Sequence, residues 1–407
     1  MKKKIAIIGA GIEQLYAYEL ARQKGYLILA TDSNPQAPCK EFADYFILAS
    51  TRNAKETLEA IKTHCNHHGN IDGVMTIAND VPYTVSLVAN HFNLNGHSLA
   101  SSELARNKFL MKKAFKKNNV PSPNFWKIET VTDLKMLFQQ NKVEELVLKP
   151  IDGRGSRGVL LLKSKDDLIW AFNESLDSSE KKILIAENFI SGMQLSTESY
   201  LLNGKAYTPA ISERNYSRNE EFSPYIIEDG GTIPASIDQY LTNKINKLLE
   251  KGASSLGIKN GIIKGDIVID ENNEPLIIEL ALRLSGGWLA SHQIIATSGV
   301  DLVDVVMRNA LGMQITEDML VPNKTRSTSV RYFFPKPGKI KSIEGEERIK
   351  DCEGIVKYKL YKKVGDTQPV VKNHSDRFGF LIVEGKNRKE SLERIKKAHS
   401  LLQIKVE

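Results

Sequence analysis

The sequence predicts a mixed α/β and α+β protein of two or three domains, and three observations carry that reading. At 407 residues the chain is long enough for more than one core. It opens with the apolar run Ile5-Ala6-Ile7-Ile8, then Gly9-Ala10-Gly11, a helical pattern through Leu20, and a second apolar run, Leu27 to Ala30, ending at Asp32. That order is a βαβ opening of the nucleotide-fold type. Further along, short strands alternate with helices from 124 to 200, and several short strands with one late helix follow Ser329.

In the opening unit Gln14 stands where a dinucleotide fingerprint would have its third glycine, and Asp32 is followed by Asn34-Pro35. An α/β turn that needs its glycines is therefore favoured over an NAD or FAD site. Gly73 to Thr76 adds a buried strand, and this domain closes near residue 100. Ser101 or Ser102 is expected to cap a helix running to about Asn118, stopped by Val120-Pro121-Ser122-Pro123. Its apolar stripe is Leu104, Met111 and Phe115, with Lys108 in an apolar slot. Such a lysine either snorkels to water or meets an anion. A helix begins at Asp166, strands cover Ile183 to Ala186 and Met193 to Leu202, and Asn203-Gly204 turns the chain. The polar stretch Ser212 to Gly231 reads as a mobile substrate-side loop. Strands around Pro335-Lys336-Pro337-Gly338 and Gly345, with a helix near Lys389 to Leu402, read as a small α+β cap.

Composition narrows the function classes. Charged residues at 26% and hydrophobic ones at 41% are ordinary for a globular protein. The net charge of +7 suits anionic small substrates, and the lysines are scattered with no nucleic-acid motif. Cys39, Cys65 and Cys352 lie too far apart to suggest a disulfide framework. No apolar run approaches membrane length, and the run after Met-Lys-Lys-Lys is too short for a signal peptide. A cytoplasmic protein with no nucleic-acid or membrane partner is expected.

The chemistry concentrates in two places. Leu146-Val147-Leu148 reads as a strand ending in Lys149-Pro150, which opens into a loop with Gly153, Gly155 and Gly158. Backbone amides freed of side chains can wrap phosphate oxygens while Lys149 supplies charge and Ser156 and Arg157 add donors. No Gly-Lys-Ser/Thr ends the loop, so it is not of the Walker type. The strands Ile262 to Ile269 and Pro275 to Leu280 form a hairpin. A two-residue type I′ turn at Asn272-Asn273 would pair Asp266 with Glu279 across it. Two carboxylates so close on an apolar sheet repel unless a cation joins them, and magnesium completed by substrate phosphates suits that place. Glu187-Asn188-Phe189-Ile190 follows a strand as a hinge able to offer backbone groups and an acid to adenine. Arg283, four residues past Glu279, is suited to brace a phosphoryl group or carboxylate, with His292 nearby. Arg214 and Arg218, in the polar stretch, and Gly286-Gly287 are the candidates for substrate contact.

The ordered set resembles the ATP-grasp superfamily, in its carboxylate–amine ligase branch. It comprises Asp32-Ser33-Asn34-Pro35, Ala43-Asp44, Asn107-Lys108, Leu148-Lys149-Pro150, the glycine loop, Glu187 to Ile190, Gly192, Glu279 to Gly287 and Gly299-Val300-Asp301-Leu302. The segment with Pro337-Gly338-Lys339, Gly354, Gly365-Asp366 and Arg377-Phe378-Gly379 resembles the cap of L-amino-acid ligases and, more distantly, of biotin carboxylase. The resemblance implies a Rossmann-like pre-ATP-grasp domain at 1–100. It implies an ATP-grasp domain at 101–330, with a small nucleotide-clamping subdomain at about 121–190 and a larger catalytic one at about 191–330. A C-terminal α+β cap at 331–407 completes the chain. It further implies that Lys108 and Lys149 contact ATP phosphates under the 153–158 loop, and that Glu187, Phe189 and Ile190 hold adenine. Asp266 and Glu279 would bind Mg2+ or Mn2+, and Arg283 would stabilise the acyl phosphate. Gln194 stands where the family often has a ribose-binding glutamate, and Ala281 where it commonly has a metal-ligating asparagine, which leaves the number of metal ions open. The implied reaction joins a small carboxylate, such as an amino acid, to an amine, forming ADP and phosphate, with a homodimer as default assembly. A bicarbonate-dependent carboxylase and a nucleotide sensor without turnover remain open alternatives.

Overall fold

Four parallel strands make the first sheet in the computed structural model, which describes residues 2–141 and 143–407. Lys4–Ile8 lies between Leu27–Asp32 and Gly73–Met75, with Tyr45–Leu48 at the outer edge beside Leu27–Asp32. Because side chains alternate along a strand, Ile5 and Ile7 join one core with Ala17, Tyr18 and Ala21, while Ala6 and Ile8 join another with Ile61 and Cys65. Burial on both faces is why the opening run is continuously apolar. At its end Gly9 takes a positive φ, and Gln14 folds back over the turn. The Gln14 amide donates to the Ile8 carbonyl at 3.0 Å and accepts from the Gly11 N–H at 2.9 Å.

The helix expected from Ser101 or Ser102 to Asn118 is two helices, Leu99–Arg106 and Lys108–Lys117. Ser98 caps the first; Asn107, in extended conformation, ends it and caps the second through 3.1 Å bonds from the Phe109 and Leu110 N–H groups. This break puts Lys108 in the first turn of the second helix, where its side chain leaves the helix end.

An antiparallel sheet follows in the order Phe125–Ile128, Leu184–Asn188, Glu145–Pro150, Leu160–Lys163. Its core takes Leu134, Leu137 and Phe138 from helix Val131–Asn141 and Leu168, Ala171 and Phe172 from helix Leu168–Asp177. The largest sheet has eight strands, in the order Pro275–Ala281, Gly261–Ile269, Met193–Leu202, Lys205–Arg214, Gly231–Ile233, Ser327–Phe333, Gly379–Gly385, Ile355–Leu360. Helix Gln239–Ser255 packs Leu241, Ile245, Leu248 and Leu249 against Ile263, Ile267, Ile277 and Leu280 of this sheet. The C-terminal strands thus continue the central sheet, and the expected boundary near 330 falls inside Ser327–Phe333. Strand Lys205–Arg214 reaches into the stretch read as a loop, so Arg214 sits on a strand.

The carboxylate hairpin corrects its expected turn. Asn273 donates to the Asp270 carbonyl with a positive φ, Asp270 N–H bonds the Glu274 carbonyl, and Ile269 pairs with Pro275. The loop therefore holds three residues, not two, which shifts the register by one. A bulge between Asp266 and Ile267 shifts it back, so Asp266 still faces Glu279. Among the described residues no helix is long and apolar enough to cross a membrane.

Candidate functional site

A cavity of about 880 Å³ is lined from the glycine loop, the 187–194 hinge, the carboxylate hairpin, the first domain's turns and the C-terminal strands. At one side Lys108, only 9% exposed, donates to the Gly153 carbonyl at 2.9 Å and to Glu279 Oε1 at 2.9 Å. Burial pushes its ammonium down, but Glu279 and Asp80 outweigh that and hold its pKa above the usual lysine value. Lys149 lies 2.8 Å from Glu187 Oε1, and a second lysine, Lys112, lies 3.3 Å from Glu187 Oε2 while donating to the Ile277 carbonyl at 3.1 Å. All three are nearly inaccessible. Burial drives Lys112 down to about 8, with Glu187 opposing and Lys149 adding to the fall. Burial would raise Glu187, but the two lysines prevail and hold it ionised. The Glu187 carboxylate is thus engaged by two lysines, and the Phe189 N–H is engaged by the Glu145 carbonyl at 3.3 Å.

On the hairpin that carries this Glu279, Asp266 faces it from the neighbouring strand. Asp266 is contacted by Lys264 through Oδ2 and by Arg214 at 3.2 Å through Oδ1, and Arg214 also reaches Glu228 at 3.1 Å. Burial raises Asp266, but Lys264 and Arg214 override it and bring it to about 2, so it is ionised at neutral pH. Arg283 pairs with Asp80 at 3.4 Å from a loop of the first domain and donates to the Leu284 carbonyl. Beneath them Glu198 is fully buried, accepts from the Ser285 N–H at 2.9 Å, and has no partner for Oε2; burial pushes it to about 7, against Ser285, Lys264 and Arg283.

The glycine loop is held from the C-terminal segment. His374 N–H donates to the Gly155 carbonyl at 3.1 Å, its ring bonds Ser156 Oγ at 3.2 Å, and Arg157 donates to Ser375 Oγ at 2.5 Å. Gly155, Ser156 and Gly158 all take positive φ, the conformation that turns successive amides to one side. Gln194 lines the cavity just past the hinge, at the start of its strand. At the far end Gly287 N–H donates to Glu13 Oε2 at 3.0 Å, and a Cβ on Gly286 would come within 2.2 Å of that same oxygen. Glu13 makes no ion pair among the described residues.

Of the expected residues, Lys108, Lys149, the loop from Gly153 to Arg157, Glu187 to Ile190, Gln194, Asp266, Glu279, Arg283, Arg214, Gly286 and Gly287 line this cavity. Gly158 lies outside the lining, its carbonyl bonded by Ser175 Oγ at 2.7 Å. Arg218 does not: it is paired with Glu221 at 2.7 Å and stacked on Phe222 and Phe334, because a short 3-10 turn at Asn219–Phe222 carries it away. His292 lies outside the lining, bonded to Ser291 and Lys357. Sequence reasoning missed Lys112, Lys264, Asp80, Glu13 and His374. Two had a signal: Lys112 is one helical turn after Lys108, and Lys264 is two strand residues before Asp266, hence on its face.

Two segments of the chain match known protein families. Residues 105–287 match the ATP-grasp domain, and residues 331–407 match the L-amino acid ligase C-terminal domain 2. An uncharacterised protein of Sinorhizobium fredii is 24% identical over 78% of this chain and 65% of its own length. Alanine–anticapsin ligase of Bacillus subtilis is 27% identical over 53% of this chain and 48% of its own length. The chain thus spans about half to two thirds of these relatives. The L-amino acid ligase of Bacillus licheniformis superposes with a TM-score of 0.85, covering 100% of this chain and 99% of that one at 20% identity, which shows a shared fold.

Proposed function

We propose that this chain, which belongs to the ATP-grasp superfamily, is a carboxylate–amine ligase that activates a small carboxylate, such as an amino acid, as an acyl phosphate. An amine then displaces the phosphate to form an amide, with ADP and phosphate released. The observation that carries the reading is the meeting of two buried lysines, a positive-φ glycine loop and an opposed carboxylate pair in one cavity.

Lys108 and Lys149 supply fixed positive charge for phosphate oxygens, and amides of the 153–158 loop supply donors. The hinge carbonyls and Ile190 backbone hold adenine, while Glu187 acts through the lysines it neutralises. Gln194 hydrogen-bonds the ribose. Asp266 and Glu279 fit Mg2+, or Mn2+, because both offer hard oxygen ligands and Asp266 is held ionised. That ion, when bound, neutralises charge on the transferring phosphoryl group. Arg214 and the turn at Gly286 and Gly287 receive the carboxylate substrate, and Arg283, steered by Asp80, stabilises the negative charge that builds on the acyl phosphate. No covalent nucleophile is required, since positioning and charge stabilisation supply the rate. A homodimeric assembly and a cytoplasmic setting belong to the same proposal.

The test is ADP and phosphate release by the full chain with Mg-ATP, against single and paired amino acids, with and without bicarbonate. Release with a carboxylate–amine pair and no bicarbonate supports the ligase. Release that demands bicarbonate moves the chain to carboxylation, and ATP binding with no release under any condition contradicts turnover.

A further inference from the structure

Lys264 has no part in the reaction just described, yet it holds a central place. It precedes Asp266 by two residues on Gly261–Ile269, so both side chains rise from one face, and its ammonium contacts Asp266 Oδ2. It is only 8% exposed. Directly across the hairpin its partner is Ala281, whose side chain ends at Cβ and leaves the flank of Asp266 to the lysine. Arg214 occupies Asp266 Oδ1 at 3.2 Å, and Lys108 sits 2.9 Å from Glu279 Oε1. Among the described residues no third His, Cys, Asp or Glu joins the pair to make a metal cluster. A protonated lysine has three donors and no lone pair, so it cannot ligate a metal and repels one placed beside it.

We propose that Lys264 is a built-in cation of this site: its ammonium fills the flank of Asp266, beside Ala281, where a second divalent ion would sit, so that the carboxylate pair takes one divalent ion rather than two. The proposal rests on the reading of the cavity as a nucleotide–metal site. Lys264 thereby positions Asp266, leaving the side of the carboxylate that faces Glu279 for the single ion.

The test counts metal, not turnover. Full-length protein is titrated with Mn2+ in the presence of saturating β,γ-imido-ATP, with free Mn2+ read by electron paramagnetic resonance and bound nucleotide measured in parallel. One Mn2+ per bound nucleotide is expected for the wild type and for Lys264→Arg, and two for Lys264→Met/Ala281→Asn. Lys264→Met alone is expected to bind a second Mn2+ at least tenfold more tightly than the wild type. Two Mn2+ per nucleotide in the wild type would overturn the role of Lys264 and leave the ligase reading intact. A folded double variant that binds nucleotide but stays at one ion would also overturn it. Absence of any nucleotide binding would instead overturn the ligase reading on which it rests. If the double variant fails to fold, the wild-type count and Lys264→Met decide.

Discussion

Replacing Glu198 with glutamine should make the protein more stable at alkaline pH, and the structure sets the size of the effect. Glu198 is fully buried, with one oxygen bonded to the Ser285 N–H and the other without a partner. Burial lifts its pKa from 4.5 to about 7, against the pull of Ser285, Lys264 and Arg283. A raised acid binds its proton more tightly in the folded state, so its contribution is fully present below about pH 4.5 and is lost as pH rises through 7. At about 1.36 kcal/mol per pKa unit, a shift of roughly 2.5 units is worth about 3 kcal/mol. Glutamine keeps the acceptor for Ser285 and cannot ionise. Unfolding in urea at pH 5, 6, 7 and 8 should therefore show Glu198→Gln near the wild type at pH 5 and ahead of it by about 2–3 kcal/mol at pH 8. A variant-minus-wild-type difference that stays flat across this range refutes the buried, unpaired carboxylate.

Other perturbations follow from the same contacts. Lys112→Met should cost about 3 kcal/mol in urea unfolding, since a buried ion partner of Glu187 is removed, and Lys112→Met/Glu187→Gln should recover part of it. A single variant as stable as wild type would contradict the pairing. His374→Ala removes the bond to Ser156 Oγ, worth about 1 kcal/mol, so amide hydrogen exchange in residues 153–158 should quicken by about fivefold; unchanged exchange would mean the His374 ring does not hold the loop. Gly192→Ala should lower the melting temperature sharply, because a Cβ there would sit 1.9 Å from the Ile269 carbonyl at a φ of +148°. Gly11→Ala, whose nearest neighbour would be 3.7 Å away, is the control and should melt close to wild type.

How much of this was readable in advance depended on sequence distance. The glycine loop and Lys149 are one continuous strand-to-loop segment, and Lys108 showed as a charge in an apolar stripe, so both were visible locally. The Asp266–Glu279 pair was reached through a wrong turn: a three-residue loop displaced the register and the bulge beyond Asp266 restored it. Neither leaves a mark in residue types, since Asn272-Asn273 suits both turns. Asn107 was passed over as helical because the apolar pattern runs through it, although its side chain caps the next helix. Arg218 was expected beside Arg214 because both lie in one polar stretch, but a strand ends between them and their directions diverge. Glu13, Asp80 and His374 reach the cavity from remote turns whose placement depends on how sheets pack, and no local period reports that. Lys264 and Lys112 are legible locally, each lying on the face of a site residue, Asp266 and Lys108, on the same element.

The central claim, that this cavity transfers the terminal phosphoryl group of ATP to a carboxylate, is tested most directly by isotope transfer. A carboxylate substrate found active in the amino-acid panel is labelled with 18O in its carboxyl group, and the released phosphate is analysed by mass. The account predicts one 18O atom in the phosphate per amide formed, with product and label both lost in Glu279→Ala. Amide formation with unlabelled phosphate would mean that the carboxylate never becomes an acyl phosphate, and would contradict the account.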